Sequence, residues 1–262
     1  MKSSLVILAS SIFISFGWQY NNISLREKTS NHLSFTKADG DSSQSIRITN
    51  GSSLRHLPAI IRDLTAALNK SEFQAGSLLN KNGIRVYLYD VTCNSFENAA
   101  AVRYQVNDTI FHLKLNRYNK LATDKALAAT LIHELMHCVL LDIFNNARRG
   151  DEKALATIAS FGANGNDSSQ DFKNHFFNLI NGGDAGQHEL IYQLFYPQMV
   201  SLLERFAELH HDAFSNQQES GRLMWSGLQE IAAYKKLQAD EKRNIELTIL
   251  EAKGAKVNLE DY

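Results

Sequence analysis

The hydrophobic positions of this chain follow two different periods. In residues 54–69 they recur at helical spacing, which predicts an amphipathic helix with Leu57, Ile60, Ile61, Leu64 and Leu68 on one face. Residues 84–91 and 109–116 instead alternate between apolar and other positions, and residues 101–106 repeat this pattern more weakly. Alternation with many β-branched and aromatic side chains is typical of strands, so we expect a small β-sheet.

After residue 122 the pattern is helical almost to the C-terminus. The predicted helices cover residues 123–146, 171–180, 187–211, 223–238 and 240–253. Breaks rich in Gly and Asn lie at 162–167 and 181–186. A strand layer followed by a mainly helical lobe predicts an α+β fold.

The N-terminus carries the features of a targeting signal. Met1 and Lys2 precede an uncharged apolar stretch at 5–16, which has the length of a signal-peptide core and is short for a membrane span. We expect residues 1–18 to be a signal peptide, 19–51 a linker or poorly ordered leader, and 52–262 the folded domain. An Ala-x-Ala cleavage pattern is absent, so a buried strand or an uncleaved anchor is the alternative.

Composition and charge narrow the class of protein. The 27 basic and 28 acidic residues give a formal charge of -1, which provides no global attraction for phosphate backbones, so we expect no nucleic-acid partner. Cys93 and Cys138 are the only cysteines, too few for a disulfide scaffold or a cysteine-rich zinc module. Cys138 lies within an apolar helix and is predicted to be a buried free thiol, although a disulfide between the two remains open.

The candidate chemistry lies in one helix. Residues 126–144 are apolar nearly all the way round, which predicts a helix in the centre of the core. His133, Glu134 and His137 interrupt this segment. Burying two imidazoles and a carboxylate is costly unless they are paired or bind a metal ion. Because residues four apart share a helix face, both imidazoles can reach the same ion.

The position of Glu134 suggests a catalytic role for the motif. It lies to one side of the two imidazoles, where a carboxylate can contact a metal-bound water without binding the metal. Zinc lowers the pKa of such a water, and the carboxylate can take its proton during attack on a peptide carbonyl. The alternatives are a chance match in a core helix and a metal site that only stabilises the fold.

A third protein ligand must come from elsewhere in the chain. Asp142 is the nearest candidate, but it lies about 180° round the same helix from His133. His175, His188 and Glu189 remain as candidates. His188 and Tyr192 are four apart, so an imidazole for the metal would share a face with a phenol that could stabilise an oxyanion. Ordinary core packing is the alternative for Tyr192.

These residues lie in a familiar order. ATLIHELMH at 129–137 is preceded by IFHLKLN at 110–116 and followed by QHE at 187–189 and WSGL at 225–228. Over residues 109–237 the chain resembles a bacterial group of SprT-like zinc peptidases of the zincin superfamily. The resemblance implies a zincin-like fold with the strand beside the metal helix, and a peptide or protein as substrate. It also implies Zn2+ held by His133, His137 and His188, with Glu134 as the general base.

The chain departs from that group at several positions. Pro197 falls where an unbroken helix is expected and should kink it, and Cys138 stands where alanine is frequent. Glu152 occupies the region where SprT-type proteins that cleave DNA-bound proteins place their third histidine, which argues against a DNA-repair role.

The sequence therefore predicts an exported zinc metallopeptidase, periplasmic or secreted, with no stable membrane association after signal cleavage. The alternative from another class is a non-catalytic exported protein with a zincin-like fold that binds peptide or protein partners.

Four further residues carry smaller expectations. Thr130 could orient His133 or satisfy a carbonyl of the preceding turn. His210 and His211 close a helix, where a cation complements the macrodipole. Trp225 is predicted to pack the C-terminal helices together.

Overall fold

The computed structural model describes residues 47–52, 54–70, 85–91, 102–104, 110–116, 122–163, 169–211 and 216–254. The predicted signal peptide, residues 19–46 of the predicted leader, and Cys93 lie outside them. The strands are β1 (Arg47–Gly51), β2 (Arg85–Val91), β3 (Val102–Tyr104) and β4 (Ile110–Asn116). The helices are α1 (Leu57–Lys70), α2 (Asp124–Arg148), α3 (Glu152–Ala163), α4 (Ser169–Asn181), α5 (Asp184–Leu209), α6 (Gln217–Met224), α7 (Ala232–Lys235) and α8 (Ala239–Ala252).

The four strands form one sheet in the order β1-β2-β4-β3. β2 is parallel to both β1 and β4, whereas β3 runs antiparallel to β4 at the edge. Val86 pairs with Phe111 and Leu88 with Leu113, and all four side chains are buried on the core side. The three predicted strands are confirmed, and a small sheet beside many helices confirms the α+β class.

The first strand corrects the predicted domain boundary. Residues 47–51 lie in the predicted leader, but they form β1, which pairs with β2. The pairing runs from Arg47 opposite Arg85 to Gly51 opposite Tyr89. The folded part therefore begins before Ser52. Periodicity missed this strand because it is only five residues long and its main apolar side chain is Ile48, which is buried.

Helix α1 is confirmed with the predicted apolar face. Leu57, Ile60, Ile61, Leu64 and Leu68 are each at most 2% exposed, and α1 packs against α2 and α5. Burying a side chain of this size contributes about 1.5–3 kcal/mol to folding, so this face anchors α1 to the helical lobe.

Helix α2 is the predicted central helix. The Thr123 hydroxyl caps its N-terminus by accepting a hydrogen bond from the Ala126 N–H at 3.1 Å. By length and composition, α2 is the one helix of the described ranges that could cross a membrane. However, 83% of its most apolar 18-residue window is buried inside the protein, as in the core helix of a globular domain. Cys138 is buried here as a free thiol, as predicted.

Two neighbouring helices differ from what the sequence predicts. Helix α3 was not predicted, although the Asp151 carboxylate caps its start by accepting from the Ala154 N–H at 2.8 Å. Helix α5 begins at Asp184, three residues before the predicted start, and continues to Leu209 through Pro197. Pro197 lies on the exposed side of α5, and the helix continues through it.

The helix predicted at 223–238 is wrong. Helix α6 ends at Met224, α7 covers only Ala232–Lys235, and a turn lies between them. Gly227 lies in this turn with a φ of 88°. That backbone conformation is incompatible with a continuous right-handed helix and favours glycine, so Gly227 breaks the predicted helix.

Candidate metal centre

Two of the predicted ligands lie on one face of α2. His133 and His137 are both buried, and their Nε2 atoms are 3.2 Å apart. A spacing of four residues on a helix stacks side chains one turn apart, which brings the two imidazoles together. The helix itself therefore positions this pair.

The third imidazole comes from another helix. His188 is the fifth residue of α5, and its Nε2 atom lies 3.2 Å from the His133 Nε2 atom. The three ring centroids are 4.9–5.0 Å from one another. The packing of α2 against α5 thus joins residues that are 55 positions apart in sequence.

The three histidines lie close enough to bind one metal ion, since their donor atoms are all within 4.8 Å of one another. Nitrogen atoms at about 2.0–2.1 Å from a tetrahedral zinc ion would be separated by about 3.3–3.4 Å. The two Nε2 separations of 3.2 Å agree with that value. Imidazole nitrogens suit several divalent metals, so the three histidines could hold one metal ion, but they do not fix which element it is.

Two of the three rings have a polar partner on their outer nitrogen. The His137 Nδ1 atom lies 2.9 Å from the Gln187 Oε1 atom, and the His188 Nδ1 atom contacts the Glu230 carboxylate. The His133 Nδ1 atom is buried and has no hydrogen-bond partner in the part of the chain that the structure describes. The outer contacts of the three ligands are therefore unequal.

Burial keeps the two imidazoles of α2 neutral at neutral pH. Desolvation, with a smaller contribution from His188, lowers the pKa of His137 to about 4, although Gln187 and Glu230 act in the opposite direction. Desolvation, and then His137 and His188, hold the pKa of His133 well below its ordinary value. A neutral ring retains the lone pair that a metal ion requires.

The pKa of Glu134 is shifted in the opposite direction, upward. Its side chain is buried within α2, and desolvation raises the pKa of its carboxyl well above the ordinary value, with a further contribution from Asp184. A carboxylate that accepts a proton more readily than usual is suited to general base catalysis near neutral pH.

Tyr192 and Trp225 lie together in an aromatic cluster. The Tyr192 ring is stacked on the Trp225 ring, with centroids 5.1 Å apart and planes at 28°. Tyr196 contacts both rings, and Tyr234 contacts Trp225. The predicted packing role of Trp225 is confirmed. The oxyanion role of Tyr192 stays a prediction.

The other candidate ligands have different surroundings. His175 is exposed, and its ring centroid lies 6.1 Å from that of Phe172. The Glu189 carboxylate accepts a hydrogen bond from Gln193 at 3.2 Å. Asp142 accepts from Asn146 on the same helix at 3.0 Å. None of these three candidates belongs to the metal-binding group found among the described residues.

Hydrogen bonds answer the smaller predictions for Thr130 and His210. The Thr130 hydroxyl donates to the Ala126 carbonyl at 3.0 Å, so it satisfies the preceding turn. His210 does close α5, but its ring lies between the Asp63 and Asp124 carboxylates at 2.7 and 2.9 Å. It therefore links helices as well as ending one.

Three residues of the site were missed by sequence reasoning. Gln187 and Glu230 contact the outer nitrogens of two ligands, and Gly227 packs against the His133 ring. Only their positions in the sequence pointed to the site, because Gln187 directly precedes His188 and Glu230 closely follows the WSGL segment. Which oxygen faces which ring depends on how the helices pack.

The resemblance to SprT-like zinc peptidases is carried by short motifs. In comparisons with known proteins, no family model, no curated protein and no solved structure matches this chain. The family therefore stays a prediction from the motif residues.

Proposed function

We propose that this protein is a zinc-dependent peptidase with a zincin-like fold that hydrolyses peptide bonds in peptide or protein substrates. One observation carries the proposal: three imidazole nitrogens converge in one cluster, and the residue after His133 on the same helix, Glu134, has a buried carboxyl of raised pKa. Ligands for a metal and a proton acceptor next to them are the two parts that metal-assisted hydrolysis requires.

The ligand set favours a catalytic zinc site over a structural one. Catalytic sites commonly use three protein ligands and leave one position for water, whereas structural sites usually use four and often draw on cysteine. Within the part of the chain that the structure describes, the group of donors consists of three histidines, and Cys138 is not part of it. When bound, the zinc ion would lower the pKa of a water molecule and polarise the substrate carbonyl.

Proton transfer and stabilisation of the oxyanion would be carried out by Glu134 and Tyr192. Glu134 accepts a proton from the attacking water on a carboxylate oxygen and then donates it to the departing amine nitrogen. Its burial among apolar side chains of α2 supports this role because it makes the carboxyl a stronger base. The Tyr192 hydroxyl, one helical turn after His188, would donate a hydrogen bond to the developing oxyanion.

The proposed location is outside the cytoplasm. The apolar stretch at 5–16 supports export, and the balanced charge supports a peptide or protein partner over nucleic acid. Expression of the full chain with its leader, followed by N-terminal sequencing of the exported protein, tests this location. Retention of the entire protein in the cytoplasm would contradict it.

The peptidase proposal is tested with purified protein and a mixture of peptides of diverse sequence. We expect about one zinc ion per chain by elemental analysis. We also expect hydrolysis that a chelator abolishes and added zinc restores, with cleavage products identified by mass spectrometry.

Glu134→Gln is the decisive variant. It preserves the size of the side chain and the three ligands, so zinc should stay bound while hydrolysis falls by about 100–10,000-fold. Activity equal to wild type in this variant would overturn the mechanism. Zinc binding by wild type without hydrolysis of any peptide would instead favour the peptide-binding alternative.

A further inference from the structure

We propose that Glu230 and Gln187 are positioning residues of the metal centre, which fix the proton and the orientation of the His188 and His137 rings. The inference rests on the proposed metal-binding function. It assigns a role to the turn at 225–230, which the chemistry of His133, Glu134 and His137 leaves unexplained.

The contact between Glu230 and His188 defines a single tautomer of the neutral ring. The Glu230 carboxylate can only accept a hydrogen bond, so the His188 Nδ1 atom must carry the proton. The lone pair of the neutral ring is then on Nε2, the atom that lies 3.2 Å from the His133 Nε2 atom. The carboxylate thereby directs the lone pair of His188 into the cluster.

The contact between Gln187 and His137 has the same consequence on α2. The Gln187 Oε1 atom accepts from the His137 Nδ1–H at 2.9 Å, which leaves the lone pair on Nε2. That Nε2 atom is also 3.2 Å from the His133 Nε2 atom. Two rings from different helices are thus oriented toward the same point.

Glu230 is placed to orient a ligand and not to be one. It contacts the outer nitrogen of His188, on the opposite side of the ring from the cluster of Nε2 atoms. It is also absent from the group of donors that could share a metal ion. Since the group found among the described residues has three donors, a fourth coordination position would remain available for water and substrate.

The two positioning residues differ in charge. Gln187 provides a neutral oxygen, whereas Glu230 provides a carboxylate, which makes the ring that donates to it a stronger metal ligand. We therefore expect the negative charge of Glu230 to contribute to zinc affinity in addition to the tautomer. Loss of an outer partner of this kind typically weakens metal binding by about 10–100-fold.

The turn that holds Glu230 depends on the break in the predicted helix. Helix α6 ends at Met224, and Gly227 in the turn that follows has a φ of 88°. The Gly227 N–H donates to the Gln229 Oε1 atom at 2.9 Å, which stabilises the turn. A continuous helix over 223–238 would not form this turn, so the break is what allows Glu230 to face His188.

The test is zinc affinity, measured by competition with a chromophoric chelator on the full chain. Glu230→Leu and Gln187→Leu should each weaken zinc binding by about 10–100-fold. Glu230→Gln keeps an acceptor oxygen but loses the charge, so its loss should be smaller than that of Glu230→Leu. This near-isosteric variant also keeps the measurement available if Glu230→Leu does not fold.

Two matched controls distinguish the loss of a positioning contact from the effect of removing a negative charge or replacing a glutamine elsewhere in the protein. Glu208→Gln removes one negative charge from an exposed site on α5, and Gln193→Leu makes the same replacement as Gln187→Leu on an exposed residue of that helix. Both should bind zinc within about 2-fold of wild type because neither faces a ligand. Equal losses in the controls and the site variants would overturn the inference.

Nitrogen NMR of the histidine rings gives a signature that a merely structural role would not produce. In the zinc-free protein, His137 and His188 should have protonated Nδ1 atoms, and each Leu variant should lose the fixed tautomer at its own partner ring only. Unchanged tautomers together with unchanged zinc affinity would overturn the inference.

The outcomes also separate this inference from the proposed function. Failure of wild type to bind zinc would overturn both. Zinc binding with site variants equal to wild type would overturn the positioning roles alone. Zinc binding that weakens in the site variants, in a protein that cleaves no peptide, would support positioning and overturn only the hydrolysis.

Discussion

The backbone of Gly227 lies directly against the imidazole of His133. A Cβ atom at position 227 would lie 3.0 Å from the His133 Cε1 atom and 3.2 Å from its Nε2 atom. Both distances are shorter than ordinary van der Waals contact, so any side chain here would press on the nitrogen that faces the other two histidines. The turn after α6 thereby packs against one side of the histidine cluster.

Replacement of this glycine should affect the site and the fold by separate mechanisms. In Gly227→Ala the positive φ costs about 1–2 kcal/mol in stability. The added methyl group should also displace the His133 ring and weaken zinc binding. Urea unfolding and chelator competition measure the two effects.

Gly150→Ala is the control for backbone strain. Gly150 also has a positive φ, 83°, but a Cβ atom there would meet nothing within 4 Å. It should lose a similar amount of stability and bind zinc as wild type does. Equal zinc affinity in both variants would show that the contact with His133 does not constrain the ligand.

The choice of third ligand can be tested on adjacent residues. His188→Ala removes an Nε2 atom from the cluster and should reduce zinc affinity by more than the roughly 10–100-fold typical of an outer partner. Glu189→Ala removes a carboxylate that contacts Gln193 and should retain zinc. Isothermal titration of both variants checks this, and the reverse order of affinities would assign the ligand to Glu189.

His210 should make stability depend on pH. Burial alone would lower its pKa, but hydrogen bonds to Asp63 and Asp124 outweigh it and raise the pKa above the ordinary value. The protonated ring is therefore favoured in the folded state. Its stabilising contribution is fully present below the unfolded pKa of about 6.5 and is lost as the pH rises through the higher folded pKa.

The measurement compares urea unfolding of wild type and His210→Gln at about pH 6 and about pH 8.5, which bracket the ordinary imidazole pKa. The variant keeps all three proposed zinc ligands. The difference between the two free energies of unfolding, measured in the same metal state, therefore reports the contribution of His210. The variant should be more destabilised at the lower pH. A loss that is equal at both values would mean that the charge of His210 is unimportant.

An ion pair between a buried lysine and a partly exposed glutamate joins α6 to α2. The Lys125 Nζ atom lies 3.0 Å from the Glu219 Oε2 atom, and the Lys125 side chain is only 3% exposed. Glu219→Ala would leave a buried ammonium without its partner and should cost about 3 kcal/mol in the free energy of unfolding.

The double variant tests this explanation. Lys125→Met combined with Glu219→Ala removes the charge along with its partner, so it should recover part of the lost stability in the same urea titration. A double variant less stable than Glu219→Ala alone would show that the cost came from packing and not from the unpaired charge.

Several features were determined by the sequence alone because they depend on neighbours along the chain. The apolar faces of α1 and α2 follow from residue spacing, and so does the approach of His133 to His137 on a single helix. Strands β2 and β4 followed from alternation. These predictions required no knowledge of how the elements pack.

Other features depended on tertiary structure. β1 has little hydrophobic signal and exists as a strand through its pairing with β2. His188 was one of several candidates until α5 packed on α2 and brought its Nε2 atom to the cluster. Glu230 reaches His188 only because Gly227 ends the predicted helix. Local spacing fixes contacts within one helix, whereas contacts between elements depend on packing and hydrogen bonds that join distant residues.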